Sequence, residues 1–169
     1  LLKYHLKKQG EILWAYANGI DTSAVQLKPP AAKSFGNSTT IAFDVCDAST
    51  AKRVLLSLAE TVGASLRAAD VKAGVVAVAI KTFDLHCARH QMTLENATDI
   101  TEEIYRCACR LFDELWDGTP IRHLGIHTSR IKEAVDIRQL SMFDEIDYRK
   151  LGMLDQTADC IRERYGKDA

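Results

Sequence analysis

The chain has 169 residues, 47% hydrophobic and 27% charged, with a formal net charge of −1; it has room for one domain plus appendages, and its composition excludes disordered and collagen-like classes. The longest apolar run, Val75 to Ile80, is far short of the roughly 20 residues of a membrane span, so no membrane segment is expected. Five scattered cysteines, Cys46, Cys87, Cys107, Cys109 and Cys160, are an odd number that argues against a secreted disulfide framework and for a reducing cytoplasm.

The opening residues, Leu1 to Leu6, hold no initiator Met and no apolar leader, so the chain reads as part of something longer. Residues 1–20 read as a helical segment carrying Ile12, Leu13, Tyr16 and Ala17, stopped by Asn18-Gly19. Residues 21–32, with Lys28-Pro29-Pro30, read as an extended linker. The main domain is expected over 33–130.

Lys33 to Ile41 is rich in Ser and Thr and reads as a strand, with a possible bulge at Gly36-Asn37. Asp47 then caps a helix whose apolar positions Ala51, Val54, Leu55, Leu58, Ala59 and Val62 fall on one face, and Gly63 is expected to end it. Val71 to Lys81 and Cys87 to Leu94 read as two strands joined by a short turn. Asp99 with Glu102 marks the start of a second helix lined by Ile104, Ala108, Leu111, Phe112 and Leu115, which Gly118 and Pro120 stop. Ile121 to Thr128 supplies a last strand.

The order β-α-β-β-α-β predicts an α+β fold: an antiparallel four-stranded sheet with both helices on one face, flanked by helical segments at the two ends. Alternation turns Val76, Val78, Ile80, Met92, Leu94, Leu124 and Ile126 towards the helices. Ala77, Lys81, Arg89, Gln91, Thr93, His123 and His127 then line an open polar face without large aromatics. An RNA-binding sheet would carry stacking aromatics there; Arg, Lys, Gln and Thr suit a grip on phosphate and sugar. The same pattern also fits an ordinary solvated sheet face.

Several segments together resemble the little finger of Y-family translesion DNA polymerases, in particular the bacterial polymerase IV and polymerase V-like lineages. Gly10-Glu11-Ile12-Leu13-Trp14 and Ala17-Asn18-Gly19-Ile20-Asp21 are similar to the end of the family's thumb. Lys33-Ser34-Phe35-Gly36-Asn37-Ser38-Thr39-Thr40 is similar to the opening of its little finger, and Leu111 to Trp116 with Ile121 to Ile126 resembles its second helix and last strand. The resemblance implies DNA contacts at Lys33, Ser34, Asn37, Thr39, Arg89 and Thr93. The third strand holds a single Arg where many relatives place several basic residues, which implies weak intrinsic affinity.

Residues 131–169 read as a tail. Within it, Gln139-Leu140-Ser141-Met142-Phe143 resembles the bacterial sliding-clamp-binding motif, with three apolar anchors in a charged stretch. From Asp147 a short helix is predicted with Leu151, Leu154, Ala158, Ile161 and Tyr165 along one side, to pack on its own domain or on a partner.

No nucleophile-base pair, phosphate loop or metal cluster is evident; Cys107 and Cys109 diverge on a helix, as Cys87 does from His86 and His90 on a strand. The resemblance places the carboxylates and Mg2+ of polymerisation in the palm, which would precede this segment, so no catalytic residue, metal or cofactor is expected here. It implies DNA and the sliding clamp as partners of a cytoplasmic monomer. The competing reading is a stand-alone ferredoxin-like domain that regulates or binds a small ligand.

Overall fold

The computed structural model describes residues 2–24, 31–133 and 147–166, and the chain divides into two compact units, residues 1–31 and 32–169. The first unit holds helix α1, Leu2–Ala17, kinked where Lys7 takes φ 48° and ψ −126°. Gly19 at φ +71° turns the chain away, and the Ile20 N–H closes the helix end on the Ala15 carbonyl at 2.9 Å.

The second unit runs β1 (Ser34–Val45), α2 (Ala48–Ala68), β2 (Val71–Thr82), β3 (Cys87–Thr98), α3 (Thr101–Leu115), β4 (Ile121–Glu133) and α4 (Tyr148–Tyr165). The four strands form one sheet in the order β1-β4-β2-β3 with every pairing antiparallel. This is the expected β-α-β-β-α-β arrangement. Val76, Val78, Ile80, Leu124 and Ile126 pack with Leu55, Leu58, Val62 and Leu66 of α2 and with Ile104, Ala108, Leu111 and Phe112 of α3 in one core. Met92 and Leu94 join its margin, so the predicted helix-facing set is the observed one. Phe112 is fully buried and stacks on Trp116 at 5.3 Å between ring centroids; removing such a ring costs about 3–5 kcal/mol.

Four local expectations are corrected. The β1 irregularity lies between Thr40 and Val45, whereas Gly36-Asn37 pairs in register with Ile126 and His127. Helix α2 runs past Gly63 to Ala68, because Leu66 prolongs the apolar face into the core. Gly63 is a place of close approach: a Cβ there would meet Thr101 Oγ1 at 2.8 Å and Arg67 Nη1 at 3.0 Å. Third, Asp99 does not cap α3; Ile100 holds the cap position without a side-chain bond. Fourth, the apolar stripe of α4 does not seat it, since Leu154, Ile161 and Tyr165 remain exposed.

What holds α4 to the domain is ionic. Arg67 Nε and Nη2 donate to the two carboxylate oxygens of Asp159 at 2.6 and 3.0 Å, and Nη1 donates to Asp155 Oδ2 at 3.1 Å and to the Asp99 carbonyl at 2.7 Å. Arg162 pairs with Glu60 at 2.8 Å. Burial pulls the Arg67 guanidinium down, but the Asp159 hydrogen bonds and the charges of Asp155 and Asp159 outweigh it and leave it above its ordinary range. Asp47 caps α2 as expected, accepting from the Thr50 N–H at 2.7 Å; bonds from Ser49 and Thr50 hold its carboxyl down to about 2.

Candidate nucleic-acid interface

Strand register decides which side chains share the sheet face turned away from α2 and α3. Read from β1 through β4 and β2 to β3, four rows cross it: Ser34, Ser129, Val75, Thr93; Gly36, His127, Ala77, Gln91; Ser38, Gly125, Ala79, Arg89; and Thr40, His123, Lys81, Cys87. The middle is built from Gly, Ala and Ser, so the face is flat and shallow, with its reach concentrated in Arg89, Lys81 and two histidines. Thr40 Oγ1 lies 3.0 Å from His123 Nδ1. Burial first, and the charges of Arg89 and His123 after it, push the His127 imidazolium below its ordinary range.

The residues carried over by resemblance divide between two faces. Ser34, Arg89 and Thr93 stand on the open face. Asn37 and Thr39 pair with Ile126 and Leu124 and therefore sit on the helix side of the edge strand. There they line a groove with Thr50, Arg53 and Ser57 of α2. Lys33 precedes β1 and is exposed. The division was readable from phase, because Phe35 and Ile41 pack against the core and Asn37 and Thr39 lie an even number of positions from both.

Sequence reasoning missed Ser38 and Thr40 on the open face, and a pair at its far end. Alternation is broken at Gly74, and Arg130 beside it adopts φ +52°. Val71, Ala73 and Ile131 thereby pack towards the core, and Lys72, directly opposite Lys132, takes the side away from it. Two like charges facing one another across strands disfavour the isolated sheet. No signal short of the bulge would have placed them together. The clamp-like residues Gln139, Leu140, Ser141, Met142 and Phe143 lie outside the described residues.

Among the described residues no group of three or more His, Cys, Asp or Glu is placed to hold a metal ion, and no helix is long and apolar enough to cross a membrane. The five cysteines are unpaired.

Comparison with known proteins fits this geometry. The impB/mucB/samB family C-terminal domain matches residues 32–142. DNA polymerase IV of Clostridium acetobutylicum is 36% identical over 98% of this chain and 42% of its own length. DNA polymerase IV 2 of Bacillus subtilis is 34% identical over 100% of this chain and 42% of its own. The chain thus spans about two fifths of the length of these relatives. Among solved structures, a post-insertion binary complex of Dbh DNA polymerase matches with TM-score 0.54 at 17% identity, over 75% of this chain and 36% of that one. A complex of the beta-clamp processivity factor with the little finger domain of PolIV matches with TM-score 0.50 at 18% identity, over 66% of this chain and 99% of that one. With an antiparallel sheet carrying two helices on one face and a polar face opposite, this chain belongs to the impB/mucB/samB C-terminal domain family, the little finger of polymerase IV-type Y-family DNA polymerases.

Proposed function

We propose that this chain is the non-catalytic DNA-gripping part of an error-prone translesion polymerase, laying its open sheet face on the backbone of the primer-template duplex. The observation that carries this reading is the open face itself. Small residues at its centre let a broad duplex approach, and the four rows hold Arg89, Lys81, His123 and His127 but no carboxylate. Phosphate contacts of this kind position a protein without reading sequence, which suits an enzyme that extends damaged templates. Arg89, Thr93 and Ser34 are the contacts we favour on the face, with Lys33 beside it; Asn37 and Thr39 would touch DNA only along the edge of β1.

Residues 1–20 are assigned to the end of a thumb, 21–32 to a linker, 33–130 to the little finger and 131–169 to the tail. The Gln139 to Phe143 segment docks on a bacterial sliding clamp, and tethering raises the local concentration of primer ends for a domain of weak grip. The fragment acts as a monomer without metal in the cytoplasm, where five unpaired cysteines are at home. Polymerisation belongs to the palm of the parent protein.

Two titrations test this. Calorimetry into a bacterial sliding clamp is expected to show binding by the chain and loss of it when Gln139, Leu140 and Phe143 are changed to Ala. Titration with primer-template DNA is expected to show a salt slope that falls by about 1 in Arg89→Ala, as one phosphate contact is lost. An unchanged slope removes Arg89 from the contact set; failure of the unsubstituted chain to bind the clamp returns the domain to the ferredoxin-like regulatory reading.

A further inference from the structure

The centre of the open face holds an imidazole whose surroundings fit a change of charge. The His127 ring lies over two glycines: a Cβ on Gly36 would stand 2.5 Å from Nδ1, and one on Gly125 would stand 3.4 Å from Nε2. The ring therefore rests on the bare backbone of Gly36 beside its own strand, in a place a side chain on Gly36 would fill, while Gly125 gives it ordinary contact. Across β2, the methyl groups of Ala77 and Ala79 leave a shallow trough between His127 and Arg89.

Every charged side chain in the four rows is a cation, the wrong sign to hold a proton on His127. β3 brings Arg89, with Cys87 a row further on; β2 brings Lys81; β4 brings His123; β1 brings only Gly36, Ser34, Ser38 and Thr40. The strand carboxylates Asp44, Glu95 and Glu133 lie outside these rows, and α2 and α3 pack against the opposite face. The rows around the ring thus favour an incoming anion and supply none of their own.

We propose that His127 is a backbone-phosphate contact, working with Arg89 across the trough, and that it gains its charge when DNA binds: one proton is taken from solvent on to the imidazole as a phosphodiester oxygen settles beside it. The inference rests on the DNA-gripping reading above and deepens it by adding a residue and a proton to the site. In the free domain burial, Arg89 and His123 disfavour the imidazolium; an anion within about 4–6 Å favours it. A group neutral when free and charged when bound makes affinity rise as pH falls. The rise starts below the pKa of the bound state and levels off once the free imidazole is itself protonated.

The test is a fluorescence anisotropy titration of a rhodamine-labelled primer-template duplex with the full chain, at fixed ionic strength between pH 5.5 and 8.5. The same titration is run with His127→Gln, which keeps a polar side chain of similar reach. The unsubstituted chain is expected to bind about three- to sixfold more tightly at pH 6 than at pH 8, which follows if DNA raises the proton affinity of the ring about tenfold. His127→Gln is expected to keep less than about half of that dependence. NMR titration of the His127 ring in the unsubstituted chain, with and without DNA, gives the same answer should the variant not fold, with the pKa moving up on binding. Binding without pH dependence, equal dependence in the variant or an unmoved ring overturns the proposal alone. Absence of DNA binding at every pH overturns the DNA-gripping reading and this proposal with it.

Discussion

The backbone N–H of Thr101 donates to Asp155 Oδ2 at 2.8 Å, so α3 is capped by a residue 54 positions later in the chain. The same oxygen accepts from Arg67 Nη1 at 3.1 Å, which ties the end of α2, the start of α3 and the middle of α4 into one network. Arg67→Ala removes the shared donor and leaves two carboxylates facing each other in a largely desolvated place. The expected loss is about 2–4 kcal/mol, below a fully buried pair because Asp159 retains access to water. Asp155→Ala, which removes the cap, is expected to lose about 1–2 kcal/mol. Urea denaturation of both variants measures this; losses under about 0.5 kcal/mol would show that α4 contributes little to the fold.

Gly63 gives a second test, of packing against propensity. Alanine in a helix interior gains about 1 kcal/mol over glycine, and a helix terminator replaced by alanine would show little penalty. Here the new Cβ meets Thr101 Oγ1 at 2.8 Å and the pinned Arg67 Nη1 at 3.0 Å. Overpacking of that kind costs about 1–3 kcal/mol, so Gly63→Ala is expected to destabilise the domain by about 1 kcal/mol net, read as a lower urea midpoint. A raised midpoint would mean that the α2–α3 contact yields easily.

The thiols separate by burial. Cys46, Cys87 and Cys160 are exposed, whereas Cys107 is buried, and desolvation pushes its thiol up to about 11. Because the thiolate is the reactive form, an aromatic disulfide reagent at pH 8 is expected to titrate three cysteines quickly, Cys109 more slowly and Cys107 only as the domain opens. Stopped-flow absorbance counts the phases, and a fast Cys107 would contradict the packing of α3 on β3.

His127 also shapes the pH dependence of stability. Its folded-state pKa is held below the unfolded value near 6.5 by burial, Arg89 and His123. Between the two pKa values the unfolded chain binds more protons, so stability rises with pH there. The contribution of this residue is complete above about pH 6.5 and is lost as pH falls from there through the lower folded-state pKa. Melting temperatures between pH 5 and 8 are expected to drop less on acidification in His127→Gln than in the unsubstituted chain; parallel curves would remove His127 from the acid response.

The order of elements, the helix-facing set and the open polar face were all legible in the amino-acid string. These follow from periods of 3.6 and 2 that short segments carry within themselves: Leu55, Leu58 and Val62 mark one side of α2, and Val76, Val78 and Ile80 one side of β2. The Asp47 cap was legible for the same reason, since it spans only the three residues to Thr50. Register, by contrast, is a relation between distant segments. Strand pairing alone places Lys72 opposite Lys132 and lays the His127 ring over Gly36. Likewise it takes the docking of α4 and α3 on α2 to make Gly63 a point of close approach and to bring Asp155, not Asp99, to the N-terminus of α3, because these contacts join residues that no local period relates.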